Sequence, residues 1–385
     1  MSLVSDAATA LIDLGPAVEM ALVGAGLSLL PVLWVALRLR RQKAGGWRAW
    51  QRALTLVTLF LTIDLVAFGA FTRLTDSGLG CPDWPGCYGS TSPVGAHGEI
   101  AQAQAASPTG PVTHRKAWIE MIHRYLATGV GALITGLMLA SWWARWRGGW
   151  AAAGGLSPWW PTWTWIWVCA QGAFGALTVT LKLFPLVVTG HLLGGLLGVA
   201  LLAAQARAIS APAPGAAPLP STLRRSAAVV LVVWFAQAAL GGWVSTNGAV
   251  LACAEVPMCQ GQWWPAMDWA HGFTLWRGLG EDGAGGSITL AALTAIHVTH
   301  RLGAIVATLA VLWLAWRLRP VARRDANVLL WLLGAQLLSG LSNVVLGWPL
   351  LAALGHTLGA ALMAGWLTRL AVRPGVDAMS TAPAT

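Results

Sequence analysis

The sequence predicts an all-α integral membrane protein with two tandem, pseudo-symmetric four-helix bundles (eight core membrane helices) and one additional N-terminal membrane helix. Of the 385 residues, 56% are hydrophobic and 10% are charged, and the mean hydropathy is +0.64. This composition is typical of polytopic membrane proteins. Nine runs are long enough to cross ~30 Å of hydrocarbon as helices: 17–39, 53–72, 117–142, 160–181, 186–205, 225–246, 289–316, 325–346 and 349–372.

The net charge of +10 does not indicate a nucleic-acid partner, because the basic residues occupy short loops rather than one continuous face. The positive-inside rule places such loops on the cytoplasmic side of the membrane, which we expect to be a bacterial inner membrane. The long connections 73–116 and 247–288 are then periplasmic, together with the N-terminus, while the C-terminus is cytoplasmic. Arg38 and its basic neighbours follow the first apolar run instead of preceding it, which argues against a cleaved signal peptide. The basic connections are 38–52, 145–147, 207–225, 317–324 and 369–373.

The chain repeats one order of features, which indicates an internal duplication. Gly69-Ala70-Phe71-Thr72 has its counterpart in Gly241-Gly242-Trp243-Val244. In each half a pair of cysteines follows, then a helix with a His-Arg pair, a plain helix and a helix with a lone histidine. We predict an additional helix and a basic cytoplasmic loop at 1–52, a first half at 53–206, a Pro/Ala-rich flexible linker at 207–223, a second half at 224–373 and a flexible tail at 374–385.

Four histidines occupy equivalent places in the predicted membrane helices: His123 and His191 in the first half, and His300 and His356 in the second. A membrane-embedded histidine is costly and therefore suggests a functional site, although any one of them alone could be a satisfied core residue. At 1.5 Å per residue, all four lie within about three turns of the outer helix ends. Each half therefore suits a haem iron with two axial imidazoles.

Glycines next to the lone histidines allow a flat macrocycle to approach the backbone. Zinc is the weaker metal interpretation, because a carboxylate or thiol at the same depth occurs only in the first half. The glycines are Gly190, Gly194, Gly195, Gly355 and Gly359.

One ionisable position differs between the halves. Glu120 precedes His123 by one helical turn, whereas His297 takes the same place before His300. A carboxyl group in a medium of low dielectric can exchange a proton or stabilise a developing cation. The asymmetry suggests that one haem is chemically altered while the other is retained.

Arginines follow two of the histidines directly, at Arg124 and Arg301. A guanidinium at the porphyrin edge can bind a propionate through two parallel hydrogen bonds. The alternative is that both side chains extend towards the lipid headgroups.

The cysteines of the two exported loops predict two disulfides, Cys81–Cys87 and Cys253–Cys259, because disulfides persist in that compartment. Their spacing differs from the Cys-x-x-Cys of zinc and thioredoxin-like sites. A redox-active first pair is the alternative. Cys169 lies inside an apolar run and is expected to be a buried, inert thiol.

At these residues the chain resembles the haem A synthase family, over about 53–373. The resemblance rests on the cysteine pairs, on Glu120-x-x-His123-Arg124 and on the remaining three histidines in their duplicated frame. It rests also on Gly69-Ala70-Phe71-Thr72-Arg73-Leu74-Thr75-Asp76-Ser77-Gly78-Leu79. The additional N-terminal helix and the long second exported loop depart from the family pattern without touching these motifs.

The resemblance implies an oxidoreductase that takes the C8 methyl of haem O through successive hydroxylations to the formyl group of haem A. His123 and His191 would face the substrate haem, His300 and His356 would hold a haem b cofactor, and Glu120 would be catalytic.

Arg73, within the motif that begins at Gly69, is a third candidate for propionate binding. The resemblance also ties the first cysteine pair to activity and makes the second structural. Besides haem O and the lipid bilayer, haem O synthase and cytochrome oxidase assembly proteins are candidate partners. The resemblance does not identify the electron acceptor, and it is compatible with a homo-oligomer.

Two other classes of protein account for part of the pattern. A dihaem b-type electron-transfer protein that reacts with quinone would use the four histidines equally well, but it gives Glu120 no task. A transporter also combines repeats with polar residues inside the membrane. Here, however, the halves repeat in parallel orientation and the polar sites lie away from the midplane.

Overall fold

The computed structural model describes residues 15–148, 155–210 and 218–373, and these segments are helical with irregular connections. The predicted tail at 374–385 and the centre of the predicted linker lie outside them. Nine helices of 22 residues or more occur in the described segments: α1 (Gly15–Arg41), α2 (Trp47–Leu74), α3 (His114–Trp146), α4 (Trp159–Thr180), α5 (Pro185–Ile209), α6 (Ser221–Thr246), α7 (Leu290–Leu318), α8 (Arg323–Val345) and α9 (Leu350–Ala371).

The long connections contain short helical pieces of their own. His97–Ala106 is a helix in the connection between α2 and α3. The connection between α6 and α7 contains a 3₁₀ turn at Ala249–Ala252 and one helical turn at Trp269–Gly272.

Eight of the nine long helices in the described chain are long and apolar enough to cross a membrane, which makes this a multi-pass membrane protein. The exception is α4, for which the sequence predicted a span at 160–181. Its 22 residues are sufficient in length. Its first turns are rich in tryptophan, which prefers the membrane–water interface to the hydrocarbon, and this lowers the hydropathy of the helix.

The long helices form two closed rings of four. In the first ring α2 packs on α3, α3 on α4, α4 on α5, and α5 returns to α2; the helices α6, α7, α8 and α9 repeat this cycle. The rings meet through α5 with α9, α2 with α9, and α5 with α6. Exchanging the two halves converts the last two contacts into each other, so the described helices have the predicted pseudo-twofold arrangement. Helix α1 packs outside the first ring, against α3 and α2.

A network of buried polar side chains joins the helices of the first ring. Gln205 on α5 donates to Thr55 on α2 (3.2 Å) and accepts from Thr164 on α4 (3.1 Å). Gln51, which is fully buried, approaches Ser141 on α3 (3.4 Å) and accepts from the backbone of Leu156. Such bonds satisfy polar groups that would be costly inside a bilayer.

One membrane residue differs from its sequence interpretation. Cys169 is exposed rather than buried. It lies on the outer side of α4, because this helix buries Pro161, Thr164 and Val179 instead. Asp64 is exposed on α2 and has no hydrogen bond to another residue of the described segments.

Candidate functional site

The four histidines lie on diagonal helices of the two rings. His123 is on α3 and His191 on α5, opposite each other in the first ring; His300 on α7 and His356 on α9 repeat this arrangement. All four are half-buried. They lie roughly 9 to 15 Å along helices that begin at the face of the cysteine loops, at 1.5 Å per residue.

Each imidazole packs on a glycine of the preceding helix. A Cβ atom at Gly69 of α2 would lie 3.0 Å from His123 Nε2, and one at Gly241 of α6 would lie 3.0 Å from His300 Cε1. These two glycines occupy the same place in the repeat. Any side chain at these positions would therefore press on the imidazole.

The lone histidines have the same support. A Cβ atom at Gly175 of α4 would lie 3.4 Å from His191 Cε1, and one at Gly340 of α8 would lie 3.1 Å from His356 Cε1. The four contacts show that the helices approach closely at the level of the imidazoles, most tightly at Gly69, Gly241 and Gly340.

Glutamines hold two of the imidazoles in the same way. Gln171 Nε2 lies 3.1 Å from His191 Nδ1 and donates to the backbone carbonyl of His191 (2.7 Å). Gln237 Nε2 lies 3.0 Å from His300 Nδ1 and donates to the carbonyl of that histidine (3.1 Å). In both pairs, the glutamine amide bridges the imidazole ring and the backbone of the same histidine. The Nε2 atom of each histidine has no hydrogen bond to a residue of the described chain.

The other two histidines differ from this pattern and from each other. Both ring nitrogens of His356 have partners: Gln336 Nε2 lies 3.2 Å from its Nε2, and Ser339 Oγ lies 3.0 Å from its Nδ1. Binding a metal therefore requires His356 to give up one of these contacts. His123 stacks on Phe68, with ring centroids 6.3 Å apart and planes within 7°, and neither of its nitrogens has a hydrogen bond to a described residue.

This donor set fits a haem in each ring. Among the described residues, no three His, Cys, Asp or Glu side chains gather into a metal site. Two opposed imidazoles supply only the axial ligands of an iron, and a porphyrin supplies the other four. Two apolar clefts of about 310 and 200 Å³ lie elsewhere on the helices and contain none of the four histidines.

Glu120 lies one turn before His123 and is fixed by the first exported loop. Its Oε2 accepts a hydrogen bond from the backbone N–H of Cys81 (2.8 Å), and its Oε1 pairs with Arg124 at 2.5 Å. Both side chains are buried, at 4% and 7% exposure. Because the carboxylate has few degrees of freedom left, its position relative to the His123 helix is well defined.

Arg124 also anchors the loop that contains the first disulfide. Its Nη1 donates to the carbonyls of Pro85 and Gly86, between the paired Cys81 and Cys87. The predicted disulfide is present, and both of its cysteines are fully buried.

The second ring repeats the arrangement without a carboxylate. The imidazole of His297 contacts the carbonyl of Ala249 through Nδ1 (2.8 Å). Arg301 donates to the carbonyls of Cys253 (3.1 Å), Glu255 (2.7 Å) and Met258 (3.0 Å). The second predicted disulfide, Cys253–Cys259, is also present.

The three arginines predicted to bind propionates thus all have protein partners. Arg73 Nη2 donates to the backbone carbonyl of Ser245 (2.8 Å), which occupies the position of Arg73 in the second half. Arg124 and Arg301 hold the disulfide loops. Their roles towards a propionate stay a prediction.

Sequence reasoning missed the glutamines, although a signal for them exists. Each precedes by four residues the glycine that supports a histidine, at Gln171–Gly175, Gln237–Gly241 and Gln336–Gly340. Residues four apart share one face of a helix. A search for Gln-x-x-x-Gly in the three helices would have placed these amides beside the histidines.

The chain is similar to known proteins over most of its length. Residues 52–368 match the model of a family described as cytochrome oxidase assembly protein. A relative named heme A synthase, from Shewanella oneidensis, is 39% identical over 314 residues, which are 80% of this chain and 91% of the relative. Relatives of the same name from Methylobacterium nodulans and Rhizorhabdus wittichii are 29% and 27% identical, over 79% and 80% of this chain and 86% and 89% of their own.

Proposed function

Because the chain belongs to the family of cytochrome oxidase assembly proteins, we propose that this membrane oxidoreductase converts haem O into haem A. One observation carries the proposal: the two rings match in helices, histidines, loop arginines and disulfides, yet only the first has a carboxylate beside its histidine. Glu120 occupies the place that His297 has in the second ring. A protein that used its two haems only for electron transfer would not need a carboxylate at this position in one ring alone.

In the proposed reaction, haem O lies between His123 and His191, with its C8 methyl on the side of Glu120. Written with water as the source of oxygen, two successive hydroxylations each replace a C–H bond of the methyl carbon by a C–O bond, release two protons and pass two electrons to an external electron acceptor. The resulting geminal diol loses water and leaves the formyl group. Glu120 accepts a proton released in these steps or stabilises positive charge that develops at the carbon, and both roles suit a carboxylate held at a fixed position.

We assign the second ring to a haem b cofactor, which His300 and His356 would hold through their imidazoles. A bound haem b would supply one-electron transfer. The chain itself supplies the two imidazoles and the surrounding apolar helices. Helix α9 of the second ring packs directly on α2 and α5 of the first, so the two rings are in contact.

We further propose that the cysteine loops face the periplasm and that the C-terminus is cytoplasmic. The support is the distribution of basic residues, which concentrate at the opposite ends of the helices. In this orientation both disulfides lie in an oxidising compartment, and the histidines lie in the outer half of the bilayer.

The proposal is tested in a bacterial host that makes haem O but lacks its own haem A synthase. Expression of this chain should produce haem A, detected by extraction and chromatography of the membrane pigments. Glu120→Gln should retain bound haem while haem O or its hydroxylated form accumulates. General acid–base catalysis accounts for rate factors of about 10² to 10⁴, so a loss of haem A of that size is expected.

His297→Gln is the matched control, because it alters the same repeat position in the second ring. It should reduce haem A far less than Glu120→Gln does. Haem A output that is unchanged in Glu120→Gln removes this residue from the mechanism. A purified protein that contains only haem B supports the electron-transfer alternative instead.

A further inference from the structure

Three of the four histidines have a glutamine at the imidazole, and each such histidine is followed three residues later by a glycine. The pairs are His191 with Gly194, His300 with Gly303, and His356 with Gly359. A side chain at any of these glycines would overlap with the amide oxygen of Gln171, Gln237 or Gln336 respectively. The glycine makes room for the glutamine, so the two residues form one cradle around the imidazole.

His123 lacks both parts of this cradle. In the repeat it corresponds to His300, and the positions that correspond to Gln237 and Gly303 are Leu65 and Leu126. Leu65 lies four residues before Gly69, as Gln237 does before Gly241. The first ring has therefore kept the glycine that contacts the imidazole while both cradle residues differ.

We propose that His123 is the exchangeable axial ligand of the first ring, and that Gln171 and Gln237 act as positioning residues that keep His191 and His300 in place. His356 is held at Nδ1 by Ser339 instead. The inference rests on the proposed function. A substrate haem has to enter and leave, whereas a cofactor haem stays bound.

A cradle stabilises a ligated imidazole in two ways. At His191 and His300 the amide nitrogen of the glutamine lies 3.1 and 3.0 Å from Nδ1, and a contact at this nitrogen fixes the orientation of the ring. Its second bond, to the backbone carbonyl of the same histidine, prevents the amide from rotating away. His123 stacks on Phe68 and packs on Gly69, and neither of its nitrogens has a hydrogen bond to a described residue, so rotation away from an iron breaks no hydrogen bond within the described chain.

Carbon monoxide binding to the purified, reduced full-length protein tests the inference. A six-coordinate iron binds carbon monoxide only after an axial ligand leaves. We expect the first-ring haem to react and the second-ring haem to remain unreactive in the wild type. The transfer of haem to apomyoglobin, followed separately, should be faster for the same first-ring haem.

Two exchanges of residues between the rings give the sharpest comparison. Leu65→Gln with Leu126→Gly installs a cradle at His123 and should slow carbon monoxide binding there roughly tenfold, the factor associated with one hydrogen bond to a ligand. Gln237→Leu removes the cradle at His300 and should make the second haem reactive by a similar factor.

Gln205→Leu is the matched control, because it makes the same change in a buried glutamine that contacts Thr55 and Thr164 and no histidine. It should leave both haems as they are in the wild type. If the first variant does not fold, Gln237→Leu still decides the question through the second ring.

Carbon monoxide binding that begins at the second-ring haem, or that is equal at both haems, overturns the inference and leaves the proposed function intact. Gln237→Leu without effect on the second haem also overturns it. A protein that binds no haem overturns the proposed function and the inference together.

Discussion

Arg124→Leu should release the first exported loop and leave the second loop in place. The guanidinium of Arg124 pairs with Glu120 and binds the carbonyls of Pro85 and Gly86, all in a buried setting. Its removal leaves the Glu120 carboxylate without a counter-charge and with backbone N–H groups such as that of Cys81 as its hydrogen-bonding partners. Breaking a buried ion pair from one side costs about 3 to 5 kcal/mol. At 1.36 kcal/mol per factor of ten, loop opening should become more frequent by on the order of a hundredfold or more.

The reduction rate of the disulfides measures this opening. Cys81 and Cys87 are fully buried, so a water-soluble reductant reaches them only after the loop opens. The freed thiols are alkylated with a mass tag at timed intervals and counted by mass spectrometry. The Cys253–Cys259 disulfide of the same molecules is the internal control, and its rate should not change.

Arg301→Leu is the matched variant. It should accelerate the second disulfide less than Arg124→Leu accelerates the first, because Arg301 binds backbone carbonyls and its loss leaves no buried carboxylate without a counter-charge. Equal acceleration of both disulfides by Arg124→Leu would indicate general unfolding. A change of less than about threefold at the first disulfide would refute the anchoring role.

Two further substitutions test the packing around the site. Gly69→Val should lower haem affinity in the first ring, and Gly241→Val in the second, each by roughly ten- to hundredfold. A Cβ atom at either position would lie 3.0 Å from the imidazole, and overpacking costs about 1 to 3 kcal/mol. The haem content per chain measures this effect, and loss of haem from the other ring would contradict it. Gly24→Leu should separate α1 from α3, because a Cβ atom there would lie 2.7 Å from the backbone of Thr128. Both haems should nevertheless stay bound, since no axial histidine lies on α1; pigment content and α1–α3 cross-linking are the measurements.

Hydropathy and repetition predicted most of the fold. Apolar runs located every long helix to within about six residues at each end, because a membrane helix has to satisfy its backbone internally and must therefore be continuous. Helix α2 begins at Trp47, six residues before the predicted start at 53, because the first turns contain polar and basic residues and therefore do not belong to the apolar run. Cys169 was misplaced because a continuous apolar run has no periodicity that separates a lipid-facing side from a buried one.

The candidate site was predicted in its residues but not in its contacts. The positions of His123, Glu120 and the cysteine pairs follow from the motifs of the duplicated halves. The anchoring of the loop by Arg124 does not, because it depends on how residues 81–87 fold back on α3. The glutamine cradles also escaped notice, since Gln171 and Gln237 reach their histidines from other helices, 20 and 63 residues away in the chain.

Pigment analysis of the purified full-length protein tests the central claim most directly. We predict two haems per chain with the spectrum of bis-imidazole iron, one extracted as haem b and the other as haem O or haem A. In His300→Ala only the haem b should be lost. A protein that yields haem B alone, or that shows no Soret absorbance, would contradict the account.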